Sequence, residues 1–152
     1  MSEELTAASR DAVLAQAQLW LGTPYVHGAS LRGVGCDCLG LVRGVWRAVY
    51  GSEPEPTPPY RPDWAEAQGR DTLAEAAGRH LAPLALAGVL PGDLLLFRWR
   101  DGAPAKHCGV ASGPGRMIHA HDGACVADVA LGVWRPRLAA AFRFPPLREN
   151  QP

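Results

Sequence analysis

The order of two kinds of periodicity along the chain constrains its fold more than any other feature. In the N-terminal half, apolar residues recur at three- and four-residue steps, which is typical of amphipathic helices. In the C-terminal half they fall into short apolar or alternating segments separated by turn sequences such as Pro91-Gly92-Asp93, which is typical of strands. This order predicts an α+β domain, with N-terminal helices packed on a C-terminal antiparallel β-sheet.

Three helical segments are predicted before the sheet. The first runs from about Ala8 to Leu21, and the second begins at Asp37, which stands where an N-cap would and precedes a buried apolar face. A shorter helix is predicted from Asp71 to His80. Residues 22–35 are rich in glycine and lack a periodic pattern, so we expect an irregular surface loop between the first two helices.

Residues 51–62 contain too many prolines for a helix or a central strand, so we predict an extended surface connection. Two interpretations of this segment stay open. It could dock the chain onto a larger protein, or it could only join two elements of the domain. A length of 152 residues fits one domain, with a core from about residue 8 to residue 145.

Composition argues against two classes of partner. Basic and acidic residues balance at 15 each, without a dense Lys/Arg cluster, so a nucleic-acid partner is not expected. No apolar run is long enough to cross a bilayer, so we expect no membrane insertion. Residues 1–14 lack the basic and apolar regions of a signal peptide, which predicts synthesis in the cytoplasm.

Cys38 lies in the predicted first turn of the second helix, where unpaired amides and the helix dipole favour a thiolate. The same amides could bind the oxyanion formed when this sulfur attacks a carbonyl. A histidine has a suitable pKa for the proton transfers. His107 and His119 lie on successive predicted strands, which a hairpin could set side by side as base and orienting group. His121 competes with His119 for the third position.

The remaining cysteines allow other interpretations. Four cysteines are too few for a disulfide scaffold in a chain of this size. Zinc is an alternative to catalysis, but the C-x-C spacing is unusual for it, so we expect no metal and no cofactor. Cys108 and Cys125 fit small apolar strand positions, and we predict core packing for both. The thiols and imidazoles that could serve as zinc ligands are those of Cys36, Cys38, His107, Cys108, His119 and His121.

Five segments form an ordered set of motifs along the chain: LGTPYVHGAS, GCDCLGLVRGVW, PGDLLLF, KHCGV and MIHA. In their order and spacing, from about Trp20 to Val126, the chain resembles the NlpC family of papain-like cell-wall cysteine peptidases. The resemblance implies that Cys38, and not Cys36, is the nucleophile, that His107 is the base and that His119 is the third residue. It also implies that Tyr25 assists at the oxyanion.

The chain departs from the family pattern at two places near the expected substrate groove. Leu39 follows the nucleophile where many members have a serine, and His27-Gly28-Ala29 replaces a Trp-Gly-Gly sequence. We expect His27 to border the groove with Tyr25 and Asp37, either as a substrate contact or as a plain loop residue. These two departures leave open which end of a stem peptide, the short peptide of peptidoglycan, is recognised in the groove.

The resemblance implies hydrolysis of amide bonds in peptidoglycan stem peptides, most often between D-glutamate and diaminopimelate. An N-acetylmuramoyl-alanine amidase and a non-cutting structural tail component of the same fold are the alternatives. The proline-rich segment, the PPYRPDW sequence and the expected lack of a signal peptide look like the phage-tail and gene-transfer-agent branch. This branch implies tail or baseplate hub proteins as partners, a place in the virion tail and action in the periplasm or wall of a target cell.

Overall fold

The computed structural model of the chain describes residues 2–57, 60 and 71–147. Within these ranges, no helix combines the length and the apolar character needed to cross a membrane. The helices are α1 (Ser2–Leu19), α2 (Cys38–Tyr50) and α3 (Thr72–His80). Short 3₁₀ turns span Leu86–Gly88 and Gly132–Arg137. The strands are β1 (Ser30–Leu31), β2 (Gly35–Cys36), β3 (Ala82–Leu84), β4 (Leu94–Phe97), β5 (His107–Gly113), β6 (Arg116–His119), β7 (Ala127–Ala130) and β8 (Leu138–Arg143).

Six strands form one antiparallel sheet in the order β3-β8-β4-β5-β6-β7. Strands β4 to β7 follow one another as a meander, whereas β8 returns to the other side of β4 and pairs with β3. Helices α1 and α2 cover one face through a shared apolar core that includes Val13, Leu41 and Val110. The α+β class, with N-terminal helices on an antiparallel sheet, is therefore confirmed.

Helix α2 begins where the sequence predicts. The Asp37 carboxylate accepts a hydrogen bond from the Gly40 amide at 2.7 Å, which satisfies one of the unpaired amides of the first turn. Leu41 and Val45 are fully buried on the face turned to the sheet. Because the cap and this face are both fixed, Cys38 is held at the first helical position, at the end of the sheet where β5 begins.

Three elements differ from the prediction. Helix α1 begins at Ser2 instead of about Ala8, because its first turn is set by Glu3 and Glu4 beside the helix dipole and not by apolar spacing. The loop predicted as irregular between residues 22 and 35 contains the β1–β2 hairpin, which turns through Gly33 at a φ of +79°. Strand β3 was not predicted, since its three residues are too few to show a period.

The described part of the proline-rich segment lies against its own domain. Glu53 pairs with Arg43 at 2.6 Å and with Arg47 at 3.1 Å, both on α2. Glu55 pairs with Arg79 and His80, each at 2.8 Å, at the end of α3. Residues 58, 59, 61 and 62 of the predicted connection lie outside the described residues. Because Glu53 and Glu55 are both paired within the domain, the structure favours a segment that joins two elements over one that docks onto a larger protein.

Candidate active site

The two neighbouring cysteines that enclose Asp37 lie in opposite electrostatic environments. The pKa of Cys38 is held well below its ordinary value by a hydrogen bond from the Cys108 thiol and by the nearby His107 ring, which together outweigh the effect of burial. Burial instead raises the pKa of Cys36 to about 12, and this side chain has no exposed surface. Cys38 is thus placed to be a thiolate at neutral pH, whereas Cys36 stays a thiol.

The β5–β6 hairpin brings His107 and His119 together. Nε2 of His107 lies 2.8 Å from Nδ1 of His119, and both rings are almost completely buried. Burial, followed by the neighbouring His107 and His121, lowers the pKa of His119 to about 3, so this ring is neutral. A neutral His119 can accept from His107 at Nδ1. This leaves the other nitrogen of His107 for proton exchange with Cys38.

Two glycines of the sequence motifs make this geometry possible. A Cβ atom on Gly40 would lie 1.8 Å from the Ala29 carbonyl oxygen, so the loop could not approach the start of α2. A Cβ atom on Gly109 would lie 2.8 Å from Sδ of Met117 and 3.2 Å from Cβ of His119. Glycine at 109 therefore leaves room for His119 to lie across the strand beside His107.

Aromatic rings that the sequence did not single out surround His107. The Trp134 indole stacks on the imidazole with a centroid distance of 4.7 Å and an angle of 21°. Trp99 and Phe97 lie at 5.9 Å from the same ring. An indole face carries partial negative charge, so Trp134 is placed to stabilise a positively charged ring at His107. Trp134 reaches this position from the 3₁₀ turn before β8, and no sequence motif links it to His107.

We expect Trp134→Leu to slow the alkylation of Cys38 at neutral pH by about two- to five-fold, since the thiolate–imidazolium pair loses a cation–π contact of about 0.5–1 kcal/mol that the neutral thiol–imidazole pair does not make. Iodoacetamide labelling at about pH 7 checks this decrease. Trp46→Leu is the matched control, because Trp46 packs on Tyr50 and Phe144, away from His107. Equal decreases in the two variants would show that Trp134 acts only through general packing.

An open groove of about 240 Å³ runs past Cys38 and His107. Tyr25 stands on its wall, where burial and then the nearby Cys38 raise the pKa of the phenol to about 12. The hydroxyl therefore keeps its proton at neutral pH and can donate to a developing oxyanion. The residues that line the groove are Tyr25, His27, Asp37, Cys38, Leu39, Tyr60, Leu73, Trp99, Lys106, His107, Ala120, His121 and Asp122.

Asp37 and His27 hold one wall of the groove in place. Besides capping α2, the Asp37 carboxylate accepts from the Gly28 amide at 2.7 Å and from the Tyr60 hydroxyl. Nε2 of His27 donates to the Tyr60 carbonyl at 2.7 Å, and the two rings meet edge to face. Both predicted residues border the groove, but their polar atoms anchor Tyr60, a residue that the sequence did not indicate.

Among the described residues, the remaining histidine and cysteine candidates do not hydrogen-bond with His107 through their side chains. His121 is exposed on the groove rim, with 5.8 Å between its ring centroid and that of His107. It is His119, and not His121, that hydrogen-bonds with His107. Cys108 is buried, as predicted. The prediction for Cys125 is wrong, because this side chain is exposed on the stretch just before β7. Over the ranges that the structure describes, no three His, Cys, Asp or Glu side chains are grouped to hold a metal ion.

The family model of the NlpC/P60 family matches residues 22–143, which include every candidate catalytic residue. A gamma-DL-glutamyl hydrolase of Bacillus subtilis (strain 168) is 29% identical over 134 residues, or 87% of this chain. The alignment spans only 29% of the length of that relative.

Solved structures share the fold. The NlpC/p60 domain of the peptidoglycan hydrolase SagA aligns over 89% of this chain and 98% of that domain, with a TM-score of 0.64 and 26% identity. The peptidoglycan hydrolase RipB from Mycobacterium tuberculosis aligns over 95% of this chain and 69% of its own, with a TM-score of 0.64 and 20% identity. The likeness to RipB concerns the fold alone.

Proposed function

We propose that this chain, which belongs to the NlpC/P60 family, is a cysteine peptidase that hydrolyses amide bonds in peptidoglycan stem peptides. The observation that carries the proposal is the Cys38 sulfur at the start of α2, in contact with His107, which is itself hydrogen-bonded to His119. An open groove gives an extended peptide access to this sulfur. Nucleophile, base and orienting group are thus supplied by one helix and one hairpin.

In this mechanism the Cys38 thiolate attacks the carbonyl carbon of the scissile amide. The oxyanion that forms is held by the Cys38 amide, which has no partner within the helix, and by the Tyr25 hydroxyl. The His107 imidazolium gives its proton to the leaving amine, and a thioester to Cys38 remains. Neutral His107 then takes a proton from water, which attacks the thioester and releases the acid.

We propose that this site cleaves the bond between D-glutamate and diaminopimelate in the stem peptide. The name of the Bacillus subtilis relative, a gamma-DL-glutamyl hydrolase, supports a glutamyl bond. The groove also carries a cation at Lys106 and an anion at Asp122. Charges of both signs fit diaminopimelate, which has carboxylate and ammonium groups.

Digestion of purified sacculi, followed by mass spectrometry of the released fragments, tests this function directly. We expect fragments that end at D-glutamate and partners that begin at diaminopimelate. Intact stem peptides with new sugar-linked lactyl ends would instead identify an amidase. Release that is equal for wild type and Cys38→Ala would contradict cysteine catalysis, and no release by either would favour a structural component.

We further propose that a phage-like tail carries the peptidase to the wall of a target cell, with tail or baseplate hub proteins as its partners. The proline-rich segment and the PPYRPDW sequence support this placement by their resemblance to the tail branch. Mass spectrometry of particles purified from the producing cells tests it. We expect the chain in the tail fraction, and its recovery solely outside the particles would contradict the proposal.

A further inference from the structure

A second thiol lies directly beneath the candidate nucleophile. Cys108 follows His107 on β5 and points into the core under α2, with 1% of its surface exposed. Its Sγ atom donates to the Cys38 carbonyl oxygen at 3.4 Å. The same thiol is the largest influence on the pKa of Cys38, which it lowers. The Cys108 sulfur, 70 positions away in the sequence, therefore lies against the residue that carries the candidate nucleophile.

The two thiols differ in charge and in access. Contact with Cys108 lowers the pKa of Cys38, and Cys38 in turn raises the pKa of Cys108, so the pair shares one thiolate and one thiol. Cys38 borders the open groove, whereas Cys108 is closed off from solvent. A small oxidant entering the groove therefore reaches the more reactive sulfur first.

We infer that Cys38 and Cys108 form a reversible disulfide when a hydroperoxide oxidises Cys38, and that this bond switches the peptidase off. The effect on activity rests on the proposed function, but the chemistry of the pair does not. Hydrogen peroxide transfers one oxygen to the Cys38 thiolate and, with one proton, leaves as water, which gives a sulfenic acid. The Cys108 thiol then attacks this sulfur, the disulfide forms and a second water leaves. The dithiol loses two electrons and the peroxide gains them.

The position of Cys108 determines what oxidation does to the site. Without a neighbouring thiol, a sulfenic acid is oxidised further to a sulfinic acid, which thiols do not reduce. Cys108 intercepts the sulfenic acid before that step, and a dithiol reductant restores both thiols by exchange. While the disulfide stands, Cys38 has no thiolate to attack a carbonyl.

Peptide mapping after peroxide treatment tests the pair without any use of wall cleavage. Trypsin separates the two sulfur atoms into peptides 33–43 and 107–116. In a Cys36→Ala background, where Cys38 is the sole thiol of its peptide, we expect these peptides to be linked and two hydrogen atoms lighter than their sum. Dithiothreitol should separate them and restore activity. Sulfinic acid on Cys38 without any linkage would overturn the inference.

Cys108→Val is the informative variant, since valine is apolar and similar in size. We expect peroxide to inactivate it without recovery on reduction, whereas wild type and the exposed-thiol control Cys125→Ser recover. Full recovery of Cys108→Val would contradict the proposal. If this variant does not fold by thermal melting, the linkage in the Cys36→Ala protein decides. A linkage found in a protein that never cuts sacculi would refute the peptidase proposal and leave the disulfide standing.

Discussion

Replacing Cys38 by alanine will reduce the release of wall fragments by about 10³-fold or more, because the covalent step loses its nucleophile. Replacing Cys36 will leave most activity. The two residues are separated by Asp37 alone, yet the pKa of Cys38 is lowered by Cys108 and His107, whereas burial raises that of Cys36 to about 12. Fragment release from sacculi, measured by mass spectrometry, checks both variants.

Thermal unfolding of the two cysteine variants shows whether a loss of activity comes from the lost side chain or from a lost fold. Cys38 is half-buried at a helix start, so its alanine variant should keep the melting temperature of the wild type. Cys36→Ala removes a fully buried sulfur and should cost about 1 kcal/mol of unfolding free energy. An active Cys38→Ala together with an inactive, well-folded Cys36→Ala would reverse the assignment of the nucleophile.

The sequence was sufficient to predict an element where apolar spacing or a capping residue marks that element locally. Helix α2 could be predicted because Asp37 and its buried face are both local features. Strands β4, β5 and β6 were predictable because their apolar character follows from burial on the sheet. Elements that depend on strand pairing and are too short to show a period were missed, such as β3 on the sheet edge and the two-residue strands β1 and β2.

The same distinction applies to the site. Cys38, His107 and His119 were identified through motifs, and a hairpin predicted from local sequence explains how the two histidines meet. Trp134 and Tyr60 were missed, since each contacts the site from a segment without any local pattern. A short motif contains only residues that are neighbours in the sequence. Residues such as Trp134 and Tyr60 reach the site through long-range packing, so a motif cannot identify them.

His119→Leu will lower the rate of wall cleavage by about 10²- to 10³-fold, whereas His119→Asn will retain a substantial part of it. Leucine has no acceptor for Nε2–H of His107, so the imidazole loses both its orientation and the partner of its charged form. An asparagine carbonyl can still accept this hydrogen bond. Equal losses in the two variants would indicate that His119 acts only by filling space beside His107.

The pH dependence of unfolding gives a second measure of the same residue. His119 has a pKa of about 3 in the folded chain, against about 6.5 when unfolded, so the unfolded chain binds the extra proton. The contribution of neutral His119 to the free energy of unfolding should therefore be complete above pH 6.5 and fall as the pH is lowered towards 3. Both His119 variants should lose this part of the slope, while the pKa of His121, which is also lowered, leaves a smaller slope in each. Urea unfolding between about pH 4 and pH 7 checks the difference, and unchanged slopes would show that His119 is not held neutral by its burial beside His107.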